Sequence, residues 1–239
     1  MTLDAVVAAN LRAVRTRIDE AARRVSRDPA DVTLVAVSKT FPSDHVRAAA
    51  RAGQVDFGEN KVQEALQKIG ETADISVRWH LIGHLQSNKA RKAAVPFACI
   101  HSIDSVELFE RVDAAAAAEG SSPDVLVQVD LAGEETKFGA PSDGARRIVD
   151  AALGAKAVKL AGLMIVPPWN DDQEQTRPWF RRLRDLRDEW VASGIGAESL
   201  HHLSMGMSHD FEAAIEEGST LVRVGTAIFG KRTYKAPDA

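Results

Sequence analysis

The chain has 239 residues, 45% hydrophobic and 27% charged, which suits one large globular domain or two small ones and gives no sign of disorder. A formal net charge of −4 with both signs interspersed leaves no broad basic face, so composition supports neither nucleic-acid nor anionic-membrane binding. The single cysteine, Cys99, excludes an intramolecular disulfide, and no stretch reads as a leader or a bilayer span, so a cytoplasmic protein in a reducing compartment is expected.

Leu3, Val7, Leu11, Val14, Ile18 and Val25 recur at helical spacing among arginines, which predicts a long amphipathic helix within residues 1–30, packed on the body of the protein. Residues 32–37 form an uncharged run dominated by Val and Leu, the pattern of a strand buried on both faces, and the run stops at Lys39. Strand and helix patterns then alternate. Further strands are predicted over residues 55–58, 78–82, 97–103, 124–129, 158–166, 200–205 and 220–224. Helices are predicted over 42–52, from about 61 to 70, just after Lys89, and over 104–119, 141–153, 172–192 and 210–217. Cys99 falls in an apolar run, where an inert buried thiol is expected.

Eight strand-helix units in this length match a single parallel (β/α)8 TIM barrel, here spanning residues 31–232 with a tail over 233–239. The competing doubly wound sheet lacks its Gly-x-Gly-x-x-Gly turn after the first strand. In such a barrel the active site lies at the carboxyl ends of the strands, which brings Lys39, Asn60, His84, Ser204 and Gly225 to one mouth.

A lysine at the end of a buried strand either snorkels to water or projects into a pocket, where a lowered pKa lets its amine form a Schiff base. The loops after strands seven and eight, around Ser204, Gly206, Gly225 and Thr226, offer hydroxyls and closely approachable amides, the makings of a phosphate cup. An aldehyde-seeking amine facing a phosphate cup suits pyridoxal 5′-phosphate (PLP). His201 and His202 have no carboxylate spaced to complete a ligand set, so no metal site is expected. Trp169, Trp179 and Trp190 read as packing or lid residues.

The runs Val37-Ser38-Lys39-Thr40, Phe57-Gly58-Glu59-Asn60-Lys61-Val62-Gln63-Glu64, Trp79 to Lys89, Gly162-Leu163-Met164, Leu203-Ser204-Met205-Gly206-Met207-Ser208 and Arg223 to Gly230 resemble the PLP homeostasis protein family, whose barrel is similar to the amino-terminal barrel of alanine racemase. The resemblance implies a fold-type III PLP barrel without the racemases' C-terminal β-domain. It implies that Lys39 forms the internal aldimine, that Ser204, Gly225 and Thr226 contact phosphate, that Arg223 faces the pyridine nitrogen, and that Asn60 lies near the ring. His84 is a variable position. The implied role is intracellular PLP homeostasis by buffering or delivery to PLP-dependent apoenzymes, with a monomer expected. A PLP-dependent amino-acid racemase or decarboxylase is the alternative, and a Schiff-base lyase on a phosphorylated sugar a third. Arg223 would make the ring a weak electron sink, and the tail offers only Tyr234 as a second acid/base group, so robust catalysis is not expected.

Overall fold

Eight strands pair in chain order, each parallel to its neighbour, and the last closes on the first. They are β1 (Thr33–Val37), β2 (Asp56–Glu59), β3 (Arg78–Leu81), β4 (Cys99–Ile103), β5 (Asp124–Gln128), β6 (Lys159–Met164), β7 (His202–Met207) and β8 (Leu221–Val224). A helix, α1 (Leu3–Arg24), precedes them. Between and after the strands come α2 (Ser43–Arg51), α3 (Val62–Glu71), α4 (Ala90–Ala93), α5 (Val106–Glu119), α6 (Ser142–Ala152), α7 (Arg177–Ala192), α8 (Phe211–Glu216) and α9 (Thr226–Phe229). This computed structural model describes residues 1–133 and 138–231; the expectations for the tail and Tyr234 lie outside them.

The two-residue period of a strand sorts side chains between two cores. On β1, Leu34 and Ala36 face the layer between sheet and helices, whereas Val35 joins Cys99, Leu126, Ala161, Met164 and Leu221 inside the barrel. Val37 and Lys39 continue the inward phase of Val35, so the lysine emerges above the barrel's interior. Cys99 is buried as expected, and burial pushes its thiol pKa well up.

The helix α1 opens with Thr2 as its cap, carries Asp4 in its first turn and Arg23 and Arg24 in its last, and so complements its own dipole. Its buried stripe, Val7, Leu11, Val14 and Ile18, lies against α2, α8 and α9. Each such side chain contributes about 1.5–3 kcal/mol by leaving water. Leu3 and Val25, at the two ends of the predicted stripe, are exposed instead.

Several elements differ from the sequence reading; the fourth strand, for instance, starts two residues later and the sixth ends two residues earlier than expected. The charged helix begins at Arg177 rather than 172, because Pro178 lacks the amide an interior position needs and is accepted in the first turn. The basic helix after Lys89 is a single turn. The seventh strand starts two residues later than expected, since Leu200 ends a short 3-10 turn. No helix among the described residues is long and apolar enough to cross a membrane.

Candidate functional site

A cavity of 410 Å³ opens at the carboxyl ends of β1, β2, β7 and β8. Lys39 and Asn60 line it together with Arg223, Gly225 and Thr226, and with Met207, Ser208 and His209 from the end of β7 and the loop after it. Val37, Ile82 and Val166 supply apolar wall, and the exposed Trp169 stands at the rim with its ring 4.9 Å from that of His209.

The backbone around Lys39 is fixed from behind. Thr40 adopts a left-handed φ of 70°, which costs a β-branched residue about 1–2 kcal/mol. Its amide donates to Glu64 Oε1 at 2.5 Å, and the Ser38 carbonyl accepts from the Phe41 amide at 3.0 Å. That same carbonyl accepts from Lys68 Nζ at 2.7 Å. Lys68 is itself buried, and it also donates to Glu59 Oε1 at 2.7 Å and Glu64 Oε1 at 2.8 Å. Glu59 is fully buried and accepts from Ser38 Oγ at 2.6 Å; its burial pushes its carboxyl pKa up, against the pull of Lys68. This lysine-glutamate cluster fixes the start of the Lys39 turn, and nothing in the local sequence pattern marks it as more than a solvated helix face.

Asn60 follows Glu59 directly and crosses very close to Gly83. A Cβ at Gly83 would lie 2.4 Å from the Asn60 carbonyl oxygen, so glycine is required for this approach.

Arg223, on β8, forms part of the cavity floor and is only 4% exposed. Its Nη2 donates to the Ile165 carbonyl at 2.8 Å and its Nη1 to Ser204 Oγ at 2.6 Å. Burial pulls its pKa down to about 10, opposed by Asp210, so it remains a cation at neutral pH. Asp210 in turn accepts from the Met207 amide at 2.7 Å and pins the loop after β7.

The structure separates two of the expected site residues from this cavity. Ser204 does not line it: the residue is fully buried beneath the floor, bonded to Arg223 and to His101 Nδ1 at 2.8 Å. The strand β7 runs on to Met207, beyond its expected end at 205, so Ser204 lies in mid-strand below the mouth, and the β7–β8 register shifts between Ser204 and Met207. Gly206, at φ 91°, sits in that break, where a Cβ would lie 2.5 Å from Ala214 Cβ. The hydroxyl that does reach the cavity is that of Ser208, whose Oγ accepts from the Gly225 amide at 3.1 Å and the Ala227 amide at 3.5 Å. His84 lines a neighbouring cavity that shares Asn60, where it pairs with Asp104 at 3.2 Å and stacks on Phe138 at 3.7 Å. Ser208 and His209 were the residues sequence reasoning missed; Ser208 closes the Ser-Met-Gly-Met-Ser motif, which was the available signal.

The chain matches the family described as alanine racemase, N-terminal domain, over residues 9–233. It is 42% identical over 224 residues to the pyridoxal phosphate homeostasis protein of Aquifex aeolicus, covering 94% of this chain and 97% of that one. It is 42% identical over 231 residues to the protein of the same name from Pseudomonas aeruginosa, covering 97% and 98%. Among solved structures, PipY of Synechococcus elongatus PCC7942 with PLP bound superposes with a TM-score of 0.83 at 38% identity, covering 94% of this chain and all of that one.

Proposed function

Since the chain belongs to the pyridoxal phosphate homeostasis protein family, within the alanine racemase N-terminal domain family, we propose that it binds PLP in the Lys39 cavity and serves the cell's handling of that cofactor. One observation carries this reading: an amine, a buried cation and an anion-receiving loop pair open onto a single 410 Å³ cavity, a size usual for small-molecule sites.

The residues fit the cofactor. Ser208 Oγ already collects the Gly225 and Ala227 amides, an arrangement of donors that suits phosphate oxygens, and Thr226 adds a hydroxyl beside them. Apolar Val37, Ile82 and Val166 would flank a planar ring, with Asn60 at its edge. PLP, when bound, supplies an aldehyde that condenses with an amine and a ring able to accept electrons. Lys39 would provide that amine. Arg223 would donate to the ring nitrogen and, as a cation, disfavour its protonation, which weakens the ring as an electron sink and suits holding the cofactor over turning over amino acids. The wider reading is a cytoplasmic monomer that buffers PLP or passes it to PLP-dependent apoenzymes.

The test is an absorbance spectrum of the purified protein with PLP, before and after borohydride, followed by mass mapping. The expected result is a visible band abolished by reduction, with the added mass on Lys39, and no such band in Lys39→Ala. A colourless protein, or modification elsewhere, overturns the binding site. Amino-acid turnover abolished by Lys39→Ala overturns the homeostasis role in favour of an enzyme.

A further inference from the structure

Beneath the cavity the barrel interior departs from its apolar pattern. Barrel cores are ordinarily filled by branched apolar side chains, and Val35, Leu126, Met164 and Leu221 conform. Across them runs an unbroken polar column. Below the Arg223–Ser204–His101 bonds, His101 Nε2 meets His80 Nδ1 at 3.0 Å, and His80 Nε2 meets Asp56 Oδ1 at 2.9 Å. Asp56 stands at the amino-terminal start of β2, on the opposite rim from Lys39. There Arg78 Nε and Nη2 each donate to it at 2.8 Å, with the Arg78 side chain 61% exposed.

The chemistry of the groups orders the protons. Asp56 is held ionised: burial pulls its pKa up, but the hydrogen bonds from His80 and Arg78 hold it below the ordinary carboxylate value. An ionised carboxylate only accepts, so His80 donates from Nε2. A neutral His80 then accepts at Nδ1 from His101 Nε2, and a neutral His101 accepts at Nδ1 from the Ser204 hydroxyl. Ser204 Oγ in turn accepts from Arg223. In this assignment every polar hydrogen along the column has an acceptor. The reverse assignment, with a charged His80, leaves the fully buried Ser204 hydroxyl hydrogen unmatched and places two cations in the core.

We propose that Ser204, His101, His80 and Asp56 form a one-way hydrogen-bond relay that holds Arg223 as a donor into the cavity and ties its electrostatics to a carboxylate on the far rim of the barrel. These are positioning residues, and the consequence for the cofactor rests on the reading that PLP occupies the Lys39 cavity. Other ionisable groups face the column. The Cys99 Sγ lies within 4.8 Å of the nearest imidazole nitrogens of His80 and His101, Asp124 acts on Cys99, His80 acts on Asp124, His202 acts on His101, and Asp210 acts on Arg223.

Two measurements on the full chain test the relay. The first is ¹⁵N NMR of the imidazoles without added cofactor between pH 6 and 8. The relay requires both His80 and His101 to be neutral with the proton on Nε2; a charged His80 or an Nδ1-protonated His101 overturns it. The second reads the pH midpoint of the visible band in PLP-loaded Asp56→Asn, Ser204→Ala and the double variant. Losing the far-rim carboxylate weakens the polarisation passed from bond to bond along the column and lowers the midpoint by up to about one unit. Once Ser204→Ala has cut the chain, adding Asp56→Asn changes nothing further. An unmoved midpoint in folded Asp56→Asn, or effects that simply add, overturns the relay. Absence of any band in the parent protein instead overturns the PLP reading, and the NMR measurement still judges the relay.

Discussion

Lys68→Met probes the cluster behind Lys39. Methionine keeps much of the side chain's length and removes an ammonium that serves Ser38 O, Glu59 and Glu64 at once. Glu59 is fully buried, and among the described residues its Oε2 has no hydrogen-bond partner, so loss of Lys68 leaves a charge that the Ser38 hydroxyl alone of these residues stabilises. Breaking such a pair from one side costs about 3–5 kcal/mol. The loss depends on pH in a definite direction. Burial already raises the Glu59 pKa, and without the lysine it rises further, so the folded variant binds a proton that the unfolded chain releases above its ordinary value. Its stability therefore falls as pH rises, and moving from pH 7 to 5 returns up to about 2.7 kcal/mol. Glu59→Gln added to Lys68→Met keeps the Ser38 contact without the charge, and is expected to recover most of the loss. Urea unfolding followed by circular dichroism, at pH 7 and 5, measures all of this. A single-variant loss below about 1 kcal/mol at pH 7, the same loss at both pH values, or a double variant no more stable than the single refutes the reasoning.

Ser208→Ala is expected to weaken PLP binding about tenfold in an equilibrium titration and to leave pyridoxal, which lacks the phosphate, nearly unaffected. Ser204→Ala should leave the ratio of the two affinities unchanged; the opposite pattern would return Ser204 to the phosphate. Gly83→Ala forces the Asn60 backbone aside by about 1 Å and should cost about 1–3 kcal/mol, read as a lowered Tm, with weaker PLP binding. A variant as stable as its parent contradicts the close approach. Burial first, then His201 and His80, hold the His202 pKa down to about 4. The unfolded chain takes up that proton near pH 6.5 and the folded chain does not, so stability falls as pH drops from 6.5 toward 4. His202→Gln should reduce the stability lost between pH 7 and 5 by up to about 2 kcal/mol, and His101, whose pKa burial also depresses, adds acid sensitivity that the variant keeps. An unchanged pH dependence would show that His202 is not desolvated.

The barrel was legible because parallel strands buried on both faces leave continuous apolar runs, and the run before Lys39 also set the inward phase of that lysine. The cavity's outline followed, since Lys39, Asn60, Arg223, Gly225 and Thr226 do open onto one space. Ser204 was misplaced because β7 runs on to Met207, beyond its expected end, and the register shift there leaves no mark in the hydrophobic pattern. The polar column was missed for a different reason. His80 between Trp79 and Leu81, and His101 after Ile100, are buried polar residues at inward positions of barrel strands, a signal that was present. His84 is the more conspicuous histidine in the sequence because it lies in the loop beyond the third strand. The Lys68 cluster could not be read at all, since its meaning depends on α3 bringing that side chain against two glutamates and the Ser38 carbonyl.

The helix α1 straddles the join at which β8 meets β1. Asn10 donates to the Ile228 carbonyl at 2.8 Å, Arg17 and Arg24 pair with Glu212 and Glu216, and Arg15 donates to the Ala52 and Gly53 carbonyls. This helix precedes the barrel in chain order and therefore waits for the last barrel elements before it can bury its apolar stripe. Lys39 waits too, because the loops facing it lie on β7 and β8. A nascent chain would thus gain its ligand pocket and its clasp in one late closing event, and ligand capture would report that the ring is shut.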